Sequence, residues 1–428
     1  MEFIKELSEA LYGAVEAVLQ AHRNTDEAES LTAMEQGLQA VLHEVGNYAL
    51  GEWLNVQTPK YPAARVACAC GGQATYVRQR EAVSITLYGR VHYRRAYYQC
   101  DCGYGQYPLD RRLGIVPGQM SAEVKTLAAL LGVQQSYATS SATLARLLPL
   151  DVSPNSIRAA CQDVGDSVLA EEADLLVACQ DLHQQTATQR QQVPPERIYL
   201  SLDGFHGPFL DGWHEVKAGV FWQVDVQGKV VNRHYFVDTA AAEPFGELVW
   251  AKAWQLGADL SPQLVIIADG ATWLWQLADR LFPNAIQIVD WFHASSYLAK
   301  IAADAFGEGT PEAKIWFNQH QTLLYHGHLA SLLRACRAMR PQAPTTADAA
   351  CHYFAHHRTR LRYPKYRALG LQIGSGVMES ACKQLGTLRL KLPGARWSEP
   401  GARSLAKARA AFLSDPLHFA PFATRKVA

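Results

Sequence analysis

The sequence predicts an α+β protein of several domains. Three observations carry that class: helix-period apolar stripes at the start of the chain, a cysteine-bounded β-rich stretch near residue 80, and short buried strands alternating with helices from residue 196. At 428 residues the chain is long enough for two to four domains. A content of 49% hydrophobic and 19% charged residues fits a globular protein. No segment approaches the roughly 20 unbroken apolar residues of a membrane span. The acidic, amphipathic opening is unlike a signal peptide, so a cytoplasmic location is expected.

Forty basic and forty acidic residues balance overall, but their distribution is uneven. Residues 1–57 hold two basic against ten acidic residues. Residues 58–112 hold nine basic against three acidic, and residues 355–428 hold fourteen against three. Two basic blocks separated by neutral chain point to a polyanion touched at two places.

Residues 1–57 read as an N-terminal helical region. One stripe runs Phe3, Leu7, Leu11, Val15, Val18, and a second Leu31, Met34, Leu38, Val41, Leu42, Val45. Their acidic outer faces suit packing on a partner, or on basic parts of the same chain, better than contact with DNA.

Residues 58–112 read as a zinc-ribbon-like domain. Cys68-Ala-Cys70-Gly and Cys100-Asp-Cys102-Gly flank a β-hairpin, and four thiolates suit a tetrahedral zinc. Each pair has one residue between its cysteines where the usual knuckle has two. Nine cysteines in all, four paired and five scattered, suggest reduced thiols. Arg90, Arg94 and Arg95 make the hairpin basic and able to face phosphate.

Residues 113–182 read as a helical, helix-turn-helix-like DNA-binding domain. One helix follows Ser121, a second spans Ser141 to Leu148, and a third opens on Ser153-Pro154 with Ser as N-cap and Pro at the first position. Asn155 and Arg158 at its start are the candidates to reach base edges. A further helix, Val164 to Leu182, leads into a Gln-rich, Pro-ended linker over residues 183–195.

Residues 196–293 form the first part of an α/β core. The strand Ile198–Leu202 ends on Asp203, two more strands follow, and the buried run Leu264–Ala268 ends on Asp269. Acids at the carboxyl ends of central strands are where open α/β sheets gather ligands. A lone Asp-Gly at that place also reads as a helix cap. The next strand ends on Asp290-Trp-Phe-His293, and both its polar residues should border the same site. Residues 294–370 read as an all-α insertion whose histidines form no ligand motif. Residues 371–428 complete the core. Ser375 is the expected N-cap of a helix from Val377 to about Lys391, with Glu379 and Lys383 one turn apart on its rim and Val377, Ala381, Leu385, Leu388 and Leu392 on its buried face. A basic C-terminal helix, Ser398 to Leu413, carries Arg403 and Lys407.

An Asp on the first strand, an Asp on the fourth and a Glu on a late helix make the ribonuclease H-like arrangement. Asp203, Asp269 and Glu379 fit it. Phosphodiester chemistry at such a site uses two Mg²⁺ or Mn²⁺ ions held by carboxylates.

From about residue 60 to residue 415 the sequence resembles the DDE transposases of bacterial insertion sequences, of the ISKra type within the Mutator-like superfamily. The carrying motifs are the two cysteine pairs with Pro108-Leu-Asp110, Leu202-Asp203-Gly204, Ala268-Asp269-Gly270-Ala271, Asp290-Trp-Phe-His293, Ile373-Gly-Ser-Gly-Val-Met-Glu379-Ser-Ala-Cys-Lys383, and Arg389-Leu-Lys391 with Arg396-Trp-Ser-Glu399. The short knuckles and Phe205-His206 depart from the family. The resemblance implies that Asp203, Asp269 and Glu379 bind the metals and that a helical insertion precedes the Glu. It further implies binding to terminal inverted repeats and target DNA, as a homodimer or higher oligomer, in the bacterial nucleoid. Asp290, His293 and Lys383 stand beside the metal site, and Arg389, Lys391, Arg396, Arg403 and Lys407 join the DNA-facing set. The competing readings are a non-cleaving DNA-binding descendant of the same fold, and a nuclease that hydrolyses without joining strands.

Overall fold

The computed structural model describes scattered positions between residues 5 and 20, then residues 31–58, 62–180, 190–191 and 193–422. The first apolar stripe, Phe3 to Val18, lies largely outside the described residues, as does most of the expected linker. The chain is an α+β protein that divides into two compact units, residues 1–161 with 419–428, and residues 162–418.

In the first unit, α1 (Leu31–Val56) precedes a four-stranded antiparallel sheet of β1 (Arg65–Ala67), β2 (Gln73–Thr86), β3 (Gly89–Cys100) and β4 (Gly105–Gln106), in that spatial order. The acidic helix lies on the basic hairpin. Asn47 donates to the Tyr88 and Arg90 carbonyls, Asn55 accepts from the Arg94 N–H, and Leu54 packs among Ala82, Val91 and Tyr93. Of the second stripe only Val41 is buried, whereas Leu31, Met34, Leu38 and Leu42 are exposed.

Short α2 (Pro108–Leu113) brings Asp110 under the sheet. Then α3 (Ala122–Gly132), α4 (Tyr137–Leu147) and α5 (Pro154–Gln180) follow. Ser121, Ser136 and Ser153 each accept an N–H from the first turn of the helix they precede, as N-caps do. The second of these helices starts earlier than the sequence suggests because Ser136, not a residue near Ser141, provides its cap. Gly132 allows a close crossing: a Cβ there would come within 2.5 Å of the Cys161 sulfur and 2.8 Å of Ile157. The third and fourth expected helices are one helix of 27 residues, since nothing between Cys161 and Ser167 breaks it.

The second unit holds a five-stranded sheet: β5 (Arg197–Phe209), β6 (Gly212–Val224), β7 (Val230–Asp238), β8 (Gln263–Ala268) and β9 (Ile286–Val289), in spatial order β7-β6-β5-β8-β9. The first three are an antiparallel meander, while β8 and β9 are parallel to β5. α6 (Ala242–Gln255) and α7 (Thr272–Leu281) make the crossovers. Five helices follow β9: α8 (Trp291–Phe306), α9 (Pro311–Tyr325), α10 (Leu329–Ala338), α11 (Pro344–His356) and α12 (Tyr363–Ala368). Tyr363 and Tyr366 tie them back to the sheet by donating to the Val289 and Gln287 carbonyls. The end of the expected linker is pinned as well, with Arg190 gripping both Asp259 oxygens at 2.9 Å.

The late helix breaks into α13 (Gly376–Cys382) and a π-helical stretch, Lys383–Leu390. The Ser375 hydroxyl makes no cap bond, and its carbonyl instead accepts from Met378 and Glu379. The wider π turn rotates the following side chains. Leu385 stays inside, Leu388 is 46% exposed, and Arg389 and Leu390 turn inward. The last helix, α14 (Glu399–Ser414), is capped by Ser398. It is buried along most of its length despite its basic residues. Lys407 is 1% exposed, between Glu172 and Asp238, and Arg403 bonds Asp238 as well. Burial alone would raise the Asp238 carboxyl, but Lys407 and then Arg403 hold it below the usual carboxylate range.

Candidate active site and cysteine cluster

Strand register explains how three acids distant in sequence meet. Leu200 lies opposite Ile266, and Ala268 opposite Val289, in parallel pairs. Carrying those offsets onward sets Asp203 level with Asp269, and Asp269 level with Asp290. Residues level with one another on adjacent parallel strands point to the same face. The sequence had β5 ending at Leu202. Instead β5 runs through Asp203 as far as Phe209, because β6 continues to pair with it after β8 stops.

These side chains open into one cavity of about 290 Å³. Asp203, Asp269, Asp290, His293, Glu379 and Cys382 are among its lining residues. Lys383 is not in the lining, and it points to solvent.

Each acid has its own environment. The Gly204 N–H donates to Asp203 at 2.7 Å, and the Cys382 thiol donates to its other oxygen at 3.4 Å. Burial lifts the Asp203 carboxyl above the usual range and the Asp269 charge adds to that, against the Gly204 and Cys382 hydrogen bonds. Asp269 accepts the Ala271 N–H at 3.0 Å, while its main-chain carbonyl accepts the Tyr353 hydroxyl at 2.7 Å. Ala271, not Asp269, is the N-cap residue of α7, so the carboxylate does not serve as that helix's cap. Glu379 is exposed on the first turn of α13.

Asp290 is different. It is 4% exposed and both oxygens are engaged. One caps α8 through the His293 N–H, and the other accepts the Ser375 N–H from the loop that leads to Glu379. It bonds His293 through the backbone, not the ring. The His293 ring lies 5.7 Å from Tyr297 and 5.8 Å from Tyr353, centroid to centroid. The sequence reading assigned no role to Cys382 or Tyr353. Cys382 lies within the Ile373–Lys383 motif, one turn after Glu379, and that spacing is its available signal. Tyr353 is deep in the helical insertion and gave none.

The four cysteines form the second cluster. Their sulfurs lie within 4.8 Å of one another. Cys68 to Cys102 is 3.8 Å and Cys70 to Cys100 is 3.7 Å. A disulfide bond is about 2.05 Å, so these are not disulfides. Metal–sulfur bonds of about 2.3 Å in a tetrahedron set the sulfurs roughly 3.8 Å apart, which matches.

The two knuckles are built alike. Cys68 N–H donates to the Gly72 carbonyl and Gly71 N–H to the Cys68 carbonyl; Cys100 N–H donates to Tyr104 and Gly103 N–H to Cys100. Gly71 and Gly103 have φ of +86° and +87°, which favours glycine. The Gly72 N–H, then the neighbouring thiols, draw the exposed Cys70 down to about 7. The cluster can therefore hold a metal ion. Among the described residues, no other set of three or more His, Cys, Asp or Glu ligand atoms is drawn this close. The histidines of residues 320–357 make no such group, and His320 is stacked on Trp316.

The model of the uncharacterised protein family UPF0236 matches residues 25–306. The chain belongs to that family. The UPF0236 match takes in the four cysteines, Asp203, Asp269, Asp290 and His293, and stops short of Glu379. No curated protein matches the chain.

The expected DNA-facing residues divide by burial. Arg90, Arg94, Asn155, Arg158 and Arg396 are exposed, and Lys391 is half-buried with its ammonium 5.5 Å from the Phe205 ring. Arg95, Arg389 and Lys407, expected to face DNA, are instead buried. Arg95 pairs with Asp110 and lies over Tyr107, Arg389 faces Trp397, and Lys407 is held by Glu172 and Asp238. Arg403 is half-buried on Asp238. Basic composition did not reveal that these cations have internal acids and rings to satisfy them.

Because Asp290 satisfies two backbone donors, Asp290→Ala should cost about 2–4 kcal/mol, the sum of a lost cap and a lost charged hydrogen bond. Urea unfolding of the variant against the parent measures it, and an unchanged midpoint would deny the clamp.

Proposed function

We propose that this chain is a metal-dependent DDE transposase, which binds the ends of a mobile DNA element and catalyses strand cleavage and transfer. The carrying observation is the convergence of Asp203, Asp269 and Glu379 on one cavity, from the first strand, the fourth strand and a late helix. A five-stranded sheet in the order 3-2-1-4-5, with three antiparallel strands then two parallel ones, supports a ribonuclease H-like core. The five helices between β9 and α13 support the reading of an all-α insertion, which the resemblance to ISKra-type enzymes implies.

The donor set suits Mg²⁺ or Mn²⁺. Hard divalent ions take carboxylate oxygens and keep several waters. Asp203, Asp269 and Glu379 would hold the ions from the wall of the one cavity they line. When bound, such ions activate the attacking oxygen and hold the leaving one. The protein's own part is positional. Gly204 and Cys382 orient Asp203, Ala271 and Tyr353 fix the turn at Asp269, and Asp290 holds the Ser375 loop so that Glu379 faces the cavity. Asp290 and His293 act through these contacts, and Lys383 remains a candidate for the nearby phosphates. Exposed Arg90, Arg94, Asn155, Arg158 and Arg396 are the proposed DNA contacts, with half-buried Lys391 over the Phe205 ring.

Asp203→Asn, Asp269→Asn and Glu379→Gln should each abolish Mg²⁺-dependent cleavage of DNA carrying the element ends while sparing end binding. Near-normal cleavage by any of them removes that residue from the site.

For the cysteine cluster we propose one structural Zn²⁺, since four thiolates at tetrahedral spacing match its preference. β1 and β4 have three and two residues and continue directly from the knuckles. Zinc removal should therefore loosen both edges and leave the β2–β3 hairpin, which Asp110 holds through Tyr93 and Arg95. Elemental analysis should give about one zinc per chain, falling in Cys70→Ser with Cys102→Ser. A zinc-free protein with both edge strands protected from hydrogen exchange would refute the assignment.

A further inference from the structure

The β5–β6 hairpin reaches past its sheet. β8 pairs with β5 only over Arg197–Leu200, and β7 pairs with β6 only as far as Lys217. Residues 204–216 are thus a two-stranded arm with Asp203 at its root. Trp213 lies opposite Pro208, roughly 17 Å of strand from Asp203.

The arm is braced from one side by the segment after the π-helix. Phe205 fills the space a Cβ would need at Gly386, and it lies under Lys391. Farther out, Leu210 N–H donates to the Trp397 carbonyl at 2.9 Å, and Trp397 N–H donates to Pro208 at 3.2 Å. This contact sets exposed Arg396 next to the tip.

The tip carries its largest apolar groups outward. Leu210 is 70% exposed and Trp213 is 61% exposed. Single exposed apolar residues are ordinary. Here two of them flank one turn, on a braced arm rooted at a carboxylate of the cavity, and the exposed cation beside them is Arg396. Asp211 at the turn is matched by His214 at 2.9 Å. An exposed ring beside a cation suits a nucleobase, whose face stacks on the ring while a phosphate of the same strand meets the charge. Only an unpaired or frayed base offers that face.

We propose that Trp213, supported by Leu210, stacks on an unpaired base of the DNA strand that enters the cavity, with Arg396 and Lys391 meeting its phosphates. The identity of that strand rests on the transposase reading above.

Full-length Asp203→Asn protein, with and without Trp213→Ala or Trp213→Phe, is titrated by fluorescence anisotropy. The probes are a labelled forked duplex with an unpaired end and the same duplex fully paired. Trp213→Ala should weaken forked-DNA binding about 5- to 150-fold, the range given by loss of one base–aromatic stack, and leave paired-duplex binding unchanged. Trp213→Phe should restore most of it. Equal binding of forked DNA by Trp213→Ala, in a protein that still binds the duplex, overturns the stacking proposal alone. Failure of the chain to bind either DNA overturns both it and the transposase reading. A loss of self-association in Trp213→Ala, seen by sedimentation, with unchanged forked-DNA binding makes the tip a protein contact and also overturns it. Melting temperature controls for folding, and the exposure of Trp213 leaves the fold intact on truncation.

Discussion

Three carboxylates at one level of three adjacent parallel strands impose the constraint on which the second unit depends. Asp203, Asp269 and Asp290 repel one another in a partly buried cleft, where charge is screened less than in water. The structure meets this cost unequally. Asp290 is fully occupied by two backbone donors, which fix the start of α8 and the loop before Glu379. Asp203 keeps a raised carboxyl under the influence of burial and of Asp269. A group in that condition is a poor structural anion and a natural partner for a divalent cation. Folding alone gives little reason to keep it, because a raised carboxyl pKa destabilises the folded chain as pH rises through and above the usual carboxylate range.

The same economy of charge governs the basic helix α14. Lys407 and Arg403 face Glu172 and Asp238, and Lys252 reaches Glu172 from α6 at 3.4 Å. Buried ion networks of this kind add little net stability over apolar packing, but breaking one partner is costly. Their effect here is alignment. They tie α5, β7, α6 and α14 into one packing arrangement behind the sheet, and they withdraw cations that a linear count assigns to DNA.

Strand and helix identities were legible because buried parallel strands read as short apolar runs and helices carry their serine caps in sequence. Leu264–Ala268 and Ser153-Pro154 are examples. Asp203, Asp269 and Glu379 were legible as acids too, since each follows an apolar run or a Gly-Ser-Gly turn. What stayed hidden depends on tertiary context. The extension of β5 past Asp203 comes from continued pairing with β6. The π turn after Cys382 exposes Leu388 and buries Arg389 by a rotation that no 3.6-residue pattern contains. The role of Tyr353 arises only when α11 packs against the Asp269 turn. The exposed face of α1 carries an ordinary helical stripe, so its sequence does not distinguish it from a buried one.

The central claim is that Asp203, Asp269 and Glu379 constitute a divalent-cation site, and calorimetric titration of the intact chain with Mn²⁺ at several pH values tests it directly. The account predicts saturable binding of about two ions. Affinity should rise with pH through and above the usual carboxylate range, because cation and proton compete for the raised Asp203 carboxyl. Replacing any of the three acids by its amide should abolish saturable binding, while Cys70→Ser should not affect it. Binding that is indifferent to the three acids, or absent from the parent chain, would contradict the account.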